Sequence, residues 1–362
     1  MKLGTFHLHS VPPWSDALQV QREHWEQILA AEAAGLDEVW LAEHNGRAYG
    51  MIGSTVVLAA AIAAATKRIR IGTAVTRLPL HNATHLAEDL AFVDILSEGR
   101  LDWGVGKGYD LLEFGTYGVD YDRREELWEE NFSAVLQMWT TGRTEFRGEH
   151  FNANDGALLP LPLQRPTPPI YVMVSGSESS VAWAAQRGLP MALGSGLDTE
   201  EVRDRMGLYG ETAANAGLPE DLIRRNLSNT WQLRQCHVAT TTEQAVKEFE
   251  KGVVWYFSEL GNRAMFGFSK SERPYSYFVE HSAFIVGSEE KVTNELGEYA
   301  IRTGVNNVIC FVNLGGQPHE QVLDAVRRLG ERVLPQIRSI HAPSISHAPD
   351  PSPTGAAAGN AD

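Results

Sequence analysis

Hydrophobic positions along this chain alternate between two patterns. Short apolar, β-branched runs read as strands at Lys2–His7, Glu38–Ala42, Ile69–Val75, Leu101–Val105, Ile170–Val174, Met191–Leu193, Trp231–Ala239 and Asn307–Asn313. Amphipathic or Ala-rich stretches read as helices at Gln19–Ala34, Ser54–Thr66, Ala83–Ser97, Arg123–Thr140, Ser179–Arg187, Thr199–Ala216, Thr242–Phe257, Glu289–Thr303 and His319–Ile337. Such alternation is the signature of parallel βαβ units. Strands such as IYVMV and NVICFV are apolar throughout, which suits a sheet covered on both faces. The pattern predicts an α/β fold, a single (β/α)8 TIM barrel with an insertion before the eighth strand. A doubly wound sheet competes with it, but that fold ordinarily carries G-x-G-x-x-G straight after its first strand. Here the first strand runs through Phe6-His7-Leu8-His9-Ser10 with no glycine.

Length and composition leave this picture standing. The 362 residues, 43% hydrophobic, suffice for one barrel domain over residues 1–341. Within it, segment 261–284 carries Met265, Phe266, Phe268, Tyr275, Tyr277, Phe278 and His281. Such an aromatic-rich loop reads as an active-site lid or as an excursion packed on the barrel surface. Residues 342–362 are rich in Pro, Ser, Ala and Gly and read as a disordered tail. A formal charge of −15 argues against nucleic acid or an anionic membrane as partner. Cys236 and Cys310 sit in apolar runs and read as buried, reduced thiols. No signal-peptide pattern or membrane-spanning stretch is visible, so a cytoplasmic location is expected.

Barrel chemistry gathers at the C-terminal strand ends. These supply His7 and His9 from the first strand, Glu43, His44 and Asn45 from the second, and Ala74 and Val75 from the third. The fourth gives Gly106, Lys107, Gly108 and Tyr109. At the fifth, Val174 leads into Ser175-Gly176-Ser177-Glu178-Ser179-Ser180 and then a helix. Backbone N–H groups and serine hydroxyls at a helix start make a phosphate cradle, although serine is also an ordinary N-cap. Lys107, at the neighbouring strand end, would add the cation. His44, beside Glu43, has the chemistry of a general acid or base near neutral pH, or of a hydrogen-bonded rim histidine. His7 and His9 point the same way from one strand and suggest a metal. The later strand ends do not complete a ligand set, so no metal is expected, and a metal-dependent hydrolase is a distant alternative. The helix Ser54–Thr66 is apolar almost all round, which favours a homodimer over coverage by the chain's own loops.

Four stretches carry a family resemblance: EVWLAEHN at 38–45, IRIGTAVTRLPLHNATHLAEDLAFVDILSEGRLDWGVGKG at 69–108, PPIYVMVSGSESSVAWAAQRGLPMAL at 168–193 and VGSEEKVTNELGEYAIRTGVNNVICFV at 286–312. In this order the chain resembles the bacterial luciferase-like flavin-dependent monooxygenases, from Met1 to about Ile337. The resemblance implies a dimeric barrel with FMN at its C-terminal face. It places a non-prolyl cis peptide under the flavin at Ala74–Val75, a flavin-neighbouring acid at Glu88 and the catalytic histidine at His44. It places the phosphate-binding cation at Lys107 and the phosphate loop at Gly176, Ser177, Ser179 and Ser180. It further implies reduced FMN supplied by a separate flavin reductase, O2 as co-substrate, and oxygenation of a small organic substrate through a flavin peroxide. Asn45, Asn82, Gly106 and Gly194-Ser195 depart from the luciferase subunit's histidines, reactive cysteine and tryptophan. The flavin framework is thus kept while the substrate lining is not, and light emission is not expected. A deazaflavin-dependent hydride-transfer oxidoreductase of the same fold is the alternative, and a non-catalytic partner subunit a further one.

Overall fold

The computed structural model describes residues 1–261 and 284–341. Most of the proposed lid segment and the proposed tail lie outside them. Eight parallel strands close a barrel: β1 (Lys2–His7), β2 (Glu38–Leu41), β3 (Arg70–Thr73), β4 (Leu101–Gly106), β5 (Ile170–Val174), β6 (Met191–Leu193), β7 (Trp231–Ala239) and β8 (Asn307–Phe311). Pairing runs in this order and closes where β8 meets β1. The helices that bear on the argument are α1 (Ala17–Ala33), α2 (Thr55–Ala65), α3 (Ala83–Leu96), α4 (Leu111–Tyr117), α5 (Arg124–Thr141), α6 (Glu178–Gln186) and α7 (Thr199–Asn215). Several begin on the residue their sequence predicts. Asp16, Ser54, Asn82 and Asp198 each accept a backbone N–H from the first turn, the usual N-cap stabilisation of about 1 kcal/mol.

Side chains fill the barrel's interior, so it is a packed core and not a pore. Trp40 is fully buried and meets Tyr171 and Trp231 edge-on, at ring-centre distances of 5.4 and 5.6 Å. The glycine at 72 makes room for it, since a Cβ there would fall 2.5 Å from the indole. Trp40→Ala would cost about 3–5 kcal/mol, the range for deleting a large aromatic from a core.

The sequence reading needs three corrections. Strand β3 stops at Thr73, short of Val75, and after the Ala74–Val75 peptide, which is cis as the resemblance implied, Thr76–Arg77 pairs with β4. A strand at Phe284–Ser288 was not foreseen. It extends the sheet outside the barrel by pairing with the far half of β7. Two helices were also missed, α4 and Glu220–Ser228, both too short to show a clear period. Cys236 and Cys310 are buried and free, as expected.

Candidate active site

Segment 43–49 leaves β2 and meets α4 at the barrel rim, which brings His44 among ionisable and aromatic partners. His44 Nδ1 lies 2.9 Å from Glu113 Oε1. The same oxygen accepts the Asn45 N–H at 3.0 Å. The Tyr49 hydroxyl lies 2.8 Å from Nδ1 and 3.0 Å from Nε2, and the Tyr109 hydroxyl 3.4 Å from Nε2. Burial alone would raise the Glu113 carboxyl. Hydrogen bonding from His44, with the charges of His44 and Arg77, holds it below the ordinary carboxylate value instead. An ionised Glu113 accepts Nδ1–H. In the neutral ring that leaves the lone pair on Nε2, beside the tyrosines.

Glu43 does not share that setting. Its carboxylate is wholly buried and accepts from the Arg77 backbone N–H and Nε, both at 3.2 Å, while His81 Nε2 lies 3.0 Å away. Enclosed in this way, Glu43 anchors Arg77 and His81. Arg77 in turn lies 2.6 Å from Glu113 Oε2 and donates to Asn45 Oδ1. The order Glu43, Arg77, Glu113, His44 is therefore one charged chain. Removing Arg77 would strand two buried carboxylates, at a cost of about 3–5 kcal/mol.

The fifth strand end lies a short way round the rim. Strands β4 and β5 are neighbours, so Lys107 and the loop after Val174 occupy the same quarter. Ser177 is the N-cap of α6 but caps no backbone N–H, and its Oγ sits 2.5 Å from Ser179 Oγ. Gly176, Ser177 and Ser179 are exposed and Ser180 is buried. A Cβ at Gly176 would meet nothing. The helix start is therefore open, although the Ser180 N–H donates to Ser177 O at 3.2 Å and the two serine hydroxyls bond each other. Gly106 has a different purpose: a Cβ there would fall 2.8 Å from a Val75 methyl, so glycine lets β4 pass the cis peptide.

Lys107 pairs with Glu125 at 2.8 Å and lies 6.0 Å from the centre of the Trp128 ring. Trp128 packs on Trp183 of α6 at 4.2 Å. Arg205 carries no mark in the sequence that would single it out. From α7 it donates Nη2–H to Gly176 O at 3.2 Å and pairs with Glu178 at 2.9 Å. Its Nε is buried with no hydrogen-bond partner among the described residues.

Glu88 is half-buried in α3, one turn before Phe92 and two before Ile95, which are 54% and 38% exposed. Two other missed residues, Asp110 and Glu113, did have a signal. Asp110-Leu-Leu-Glu113 has N-cap spacing, and Asp110 does cap α4 while holding Arg47 with two 2.9 Å bonds. Nothing in the sequence marked Arg77.

The comparisons with known proteins agree with this geometry. A family model described as luciferase-like monooxygenase matches residues 1–307. The chain belongs to the luciferase-like monooxygenase family. With that membership it is an enzyme, of the flavin-dependent monooxygenase class. The alkanal monooxygenase alpha chain of Photorhabdus luminescens is 27% identical, over 93% of this chain and 98% of that one. Monooxygenase RslO1 from Streptomyces bottropensis shares the fold with a TM-score of 0.83 at 24% identity, over 92% of this chain and 99% of that one. The oxygenating constituent of 3,6-diketocamphane monooxygenase from Pseudomonas putida, solved with FMN, gives 0.78 at 19% identity, over 95% and 99%. Structures of F420-dependent enzymes share the fold as well. No helix among the described residues is long and apolar enough to cross a membrane.

Proposed function

We propose that the rim binds reduced FMN and that the chain uses it with O2 to oxygenate a small organic substrate. One observation carries this reading: an open helix start at α6 without a side-chain cap, beside an Arg205 Nε that has no hydrogen-bond partner among the described residues. That is the donor set for a phosphate on a planar cofactor. Ser177, Ser179 and the α6 N–H groups would hold the phosphate, with Arg205 and Lys107 supplying charge. The Ala74–Val75 turn would lie under the ring. Bound reduced FMN supplies the electrons and the reaction with O2. The chain supplies position and a proton route: Glu113 fixes the His44 tautomer, and Nε2 takes or gives a proton next to Tyr49 and Tyr109. The 3,6-diketocamphane enzyme of this fold is itself only the oxygenating constituent of its monooxygenase, which supports a separate flavin reductase as electron source here too. Exposed apolar residues on α2 and α3 support a homodimer.

The test measures binding of reduced FMN, reduced riboflavin and reduced deazaflavin to the whole protein, then 18O transfer from 18O2 into candidate ketones and aldehydes. FMN should bind at least tenfold tighter than riboflavin, and label should enter product. Equal affinity for riboflavin, or tighter binding of deazaflavin without label transfer, would overturn the reading.

A further inference from the structure

Three histidines that the mechanism leaves unused meet inside the protein. His7 and His9 leave the end of β1, and His24 comes from α1; all three are at most 2% exposed. Each offers a ring nitrogen, and these lie within 4.8 Å of one another. His7 Nδ1 and His24 Nδ1 are 3.1 Å apart. The His9 ring stacks on His24 at 4.1 Å.

The partners settle how His7 and His24 are protonated. Asn313 Nδ2 can only donate, so His24 Nε2 accepts from it at 3.3 Å. His24 Nδ1–H then donates to His7 Nδ1, and His7 Nε2–H donates to Thr5 Oγ1 at 2.9 Å. His9 is different. Its two ring nitrogens are buried, and the Gln21 side chain can satisfy only one of them, in a backbone with φ of +54° that non-glycine residues seldom adopt. Leaving buried polar atoms unpaired costs about 1–3 kcal/mol, and such atoms call for a partner.

We propose that His7, His9 and His24 form a binding site for one transition-metal dication of the zinc class, joining the end of β1 to α1. Imidazole nitrogens suit this class. Zinc held at about 2.0 Å keeps tetrahedral nitrogens roughly 3.3 Å apart, so the His7–His24 spacing already fits and the His9 ring, held only by Gln21, supplies the closing movement. The metal takes the place of the proton shared by the two Nδ1 atoms, and His24 keeps a proton on Nε2. Asn313 then turns its amide oxygen toward His24, and Gln27, whose Oε1 accepts from Asn313 Nδ2 at 3.2 Å, turns its amide with it. Gly315 N, which Asn313 Oδ1 accepts from at 3.1 Å, remains satisfied by Gln317 Oε1 at 3.1 Å. Water or hydroxide fills the fourth position. Burial keeps all three imidazoles unprotonated at neutral pH, as ligation requires. His9 O accepts from Met51 N at 3.3 Å, and Ser10 Oγ donates to Tyr49 O at 2.6 Å, so occupancy braces the loop carrying His44 and Tyr49.

Chelator-treated whole protein titrated with Zn2+ should bind one equivalent and melt at higher temperature. Co2+ in its place should give the visible bands of a tetrahedral nitrogen site. His9→Ala removes a ligand at the cost of no more than the Gln21 contact, and should weaken Zn2+ binding by at least 100-fold while keeping its circular dichroism. His85→Ala, on the exposed face of α3, should bind as wild type. Absence of a one-equivalent site, absence of tetrahedral Co2+ bands in the wild type, or unchanged affinity in His9→Ala would overturn the proposal. The Co2+ spectrum of the wild type decides the matter even where a variant fails to fold.

Discussion

His44 and Glu113 share one proton's worth of chemistry, and their separate roles are measurable. His44→Ala should keep FMN binding but lower product formation by about 10²–10⁴, the usual contribution of a positioned acid or base. Electrons drawn from reduced FMN should then emerge as H2O2. A variant that forms product at the wild-type rate would make His44 a rim histidine only. Glu113→Gln removes the charge that favours protonated His44 and leaves the residue's shape. The acid limb of the pH–rate profile should move down by about one unit; an unmoved limb would make Glu113 purely structural. The buried histidines bear on stability instead. Burial lowers His9 to about 4 and His7 and His24 well below their ordinary value. Between about 6.5 and 4 the unfolded chain takes up protons that the folded chain refuses, so stability is full above 6.5 and is lost as pH falls. Each histidine adds a slope of up to about 1.4 kcal/mol per pH unit. Melting temperature, measured without metal, should fall between pH 7 and pH 5, and less steeply in His9→Ala. A flat profile would mean the cluster is not neutral.

At the scale of elements, the loop from Val174 into α6 works through backbone donors, which side-chain truncation cannot remove. Its charged neighbours can be tested. Arg205→Ala should weaken reduced FMN by about 1.5–3 kcal/mol, the range for a hydrogen bond to a charged group, and leave riboflavin unchanged. Equal losses for both would place Arg205 outside the phosphate site. The contrast between this arginine and the serines explains what the sequence disclosed. The serines were legible because they follow a buried strand and open a helix, so local order alone puts them together. The barrel strands were legible for a similar reason: most are short, largely apolar runs between helical patterns, with β7 (WQLRQCHVA) the polar exception. Arg205 lies 29 residues beyond Gly176 and reaches it only because α7 packs against α6. Arg77 and Glu113 are likewise joined by tertiary closure, and His24 meets His7 across the β1–α1 connection. Glu43 shows the converse. Adjacency to His44 in sequence sends its side chain to the opposite environment, as alternation at a strand end requires.

The whole molecule presents an outer surface that its own helices do not finish. On α2, Val57 is 72% exposed, and on the adjoining α3, Phe92 is 54%, Ile95 38% and Leu96 40% exposed. A barrel's outer helices ordinarily turn a polar face to water. Here the sequence TVVLAAAIAAA offers α2 no such face, and small alanines allow close helix approach. Isolated apolar residues are normal on a surface, but a contiguous patch marks an interface. The occupant we propose is the same patch on a second copy, as in a closed two-fold dimer. Charge supports a specific contact over loose association, because at −15 per chain two copies repel except where apolar area is buried. Light scattering at micromolar concentration should therefore give about twice the 39.9 kDa chain mass. Val57→Glu with Phe92→Glu places two carboxylates per chain in the dry contact and should return the mass to that of one chain. The barrel's circular dichroism should be preserved, since neither residue is in its core. A wild type that scatters as a single chain, or a double variant that remains dimeric, would assign this face to another role.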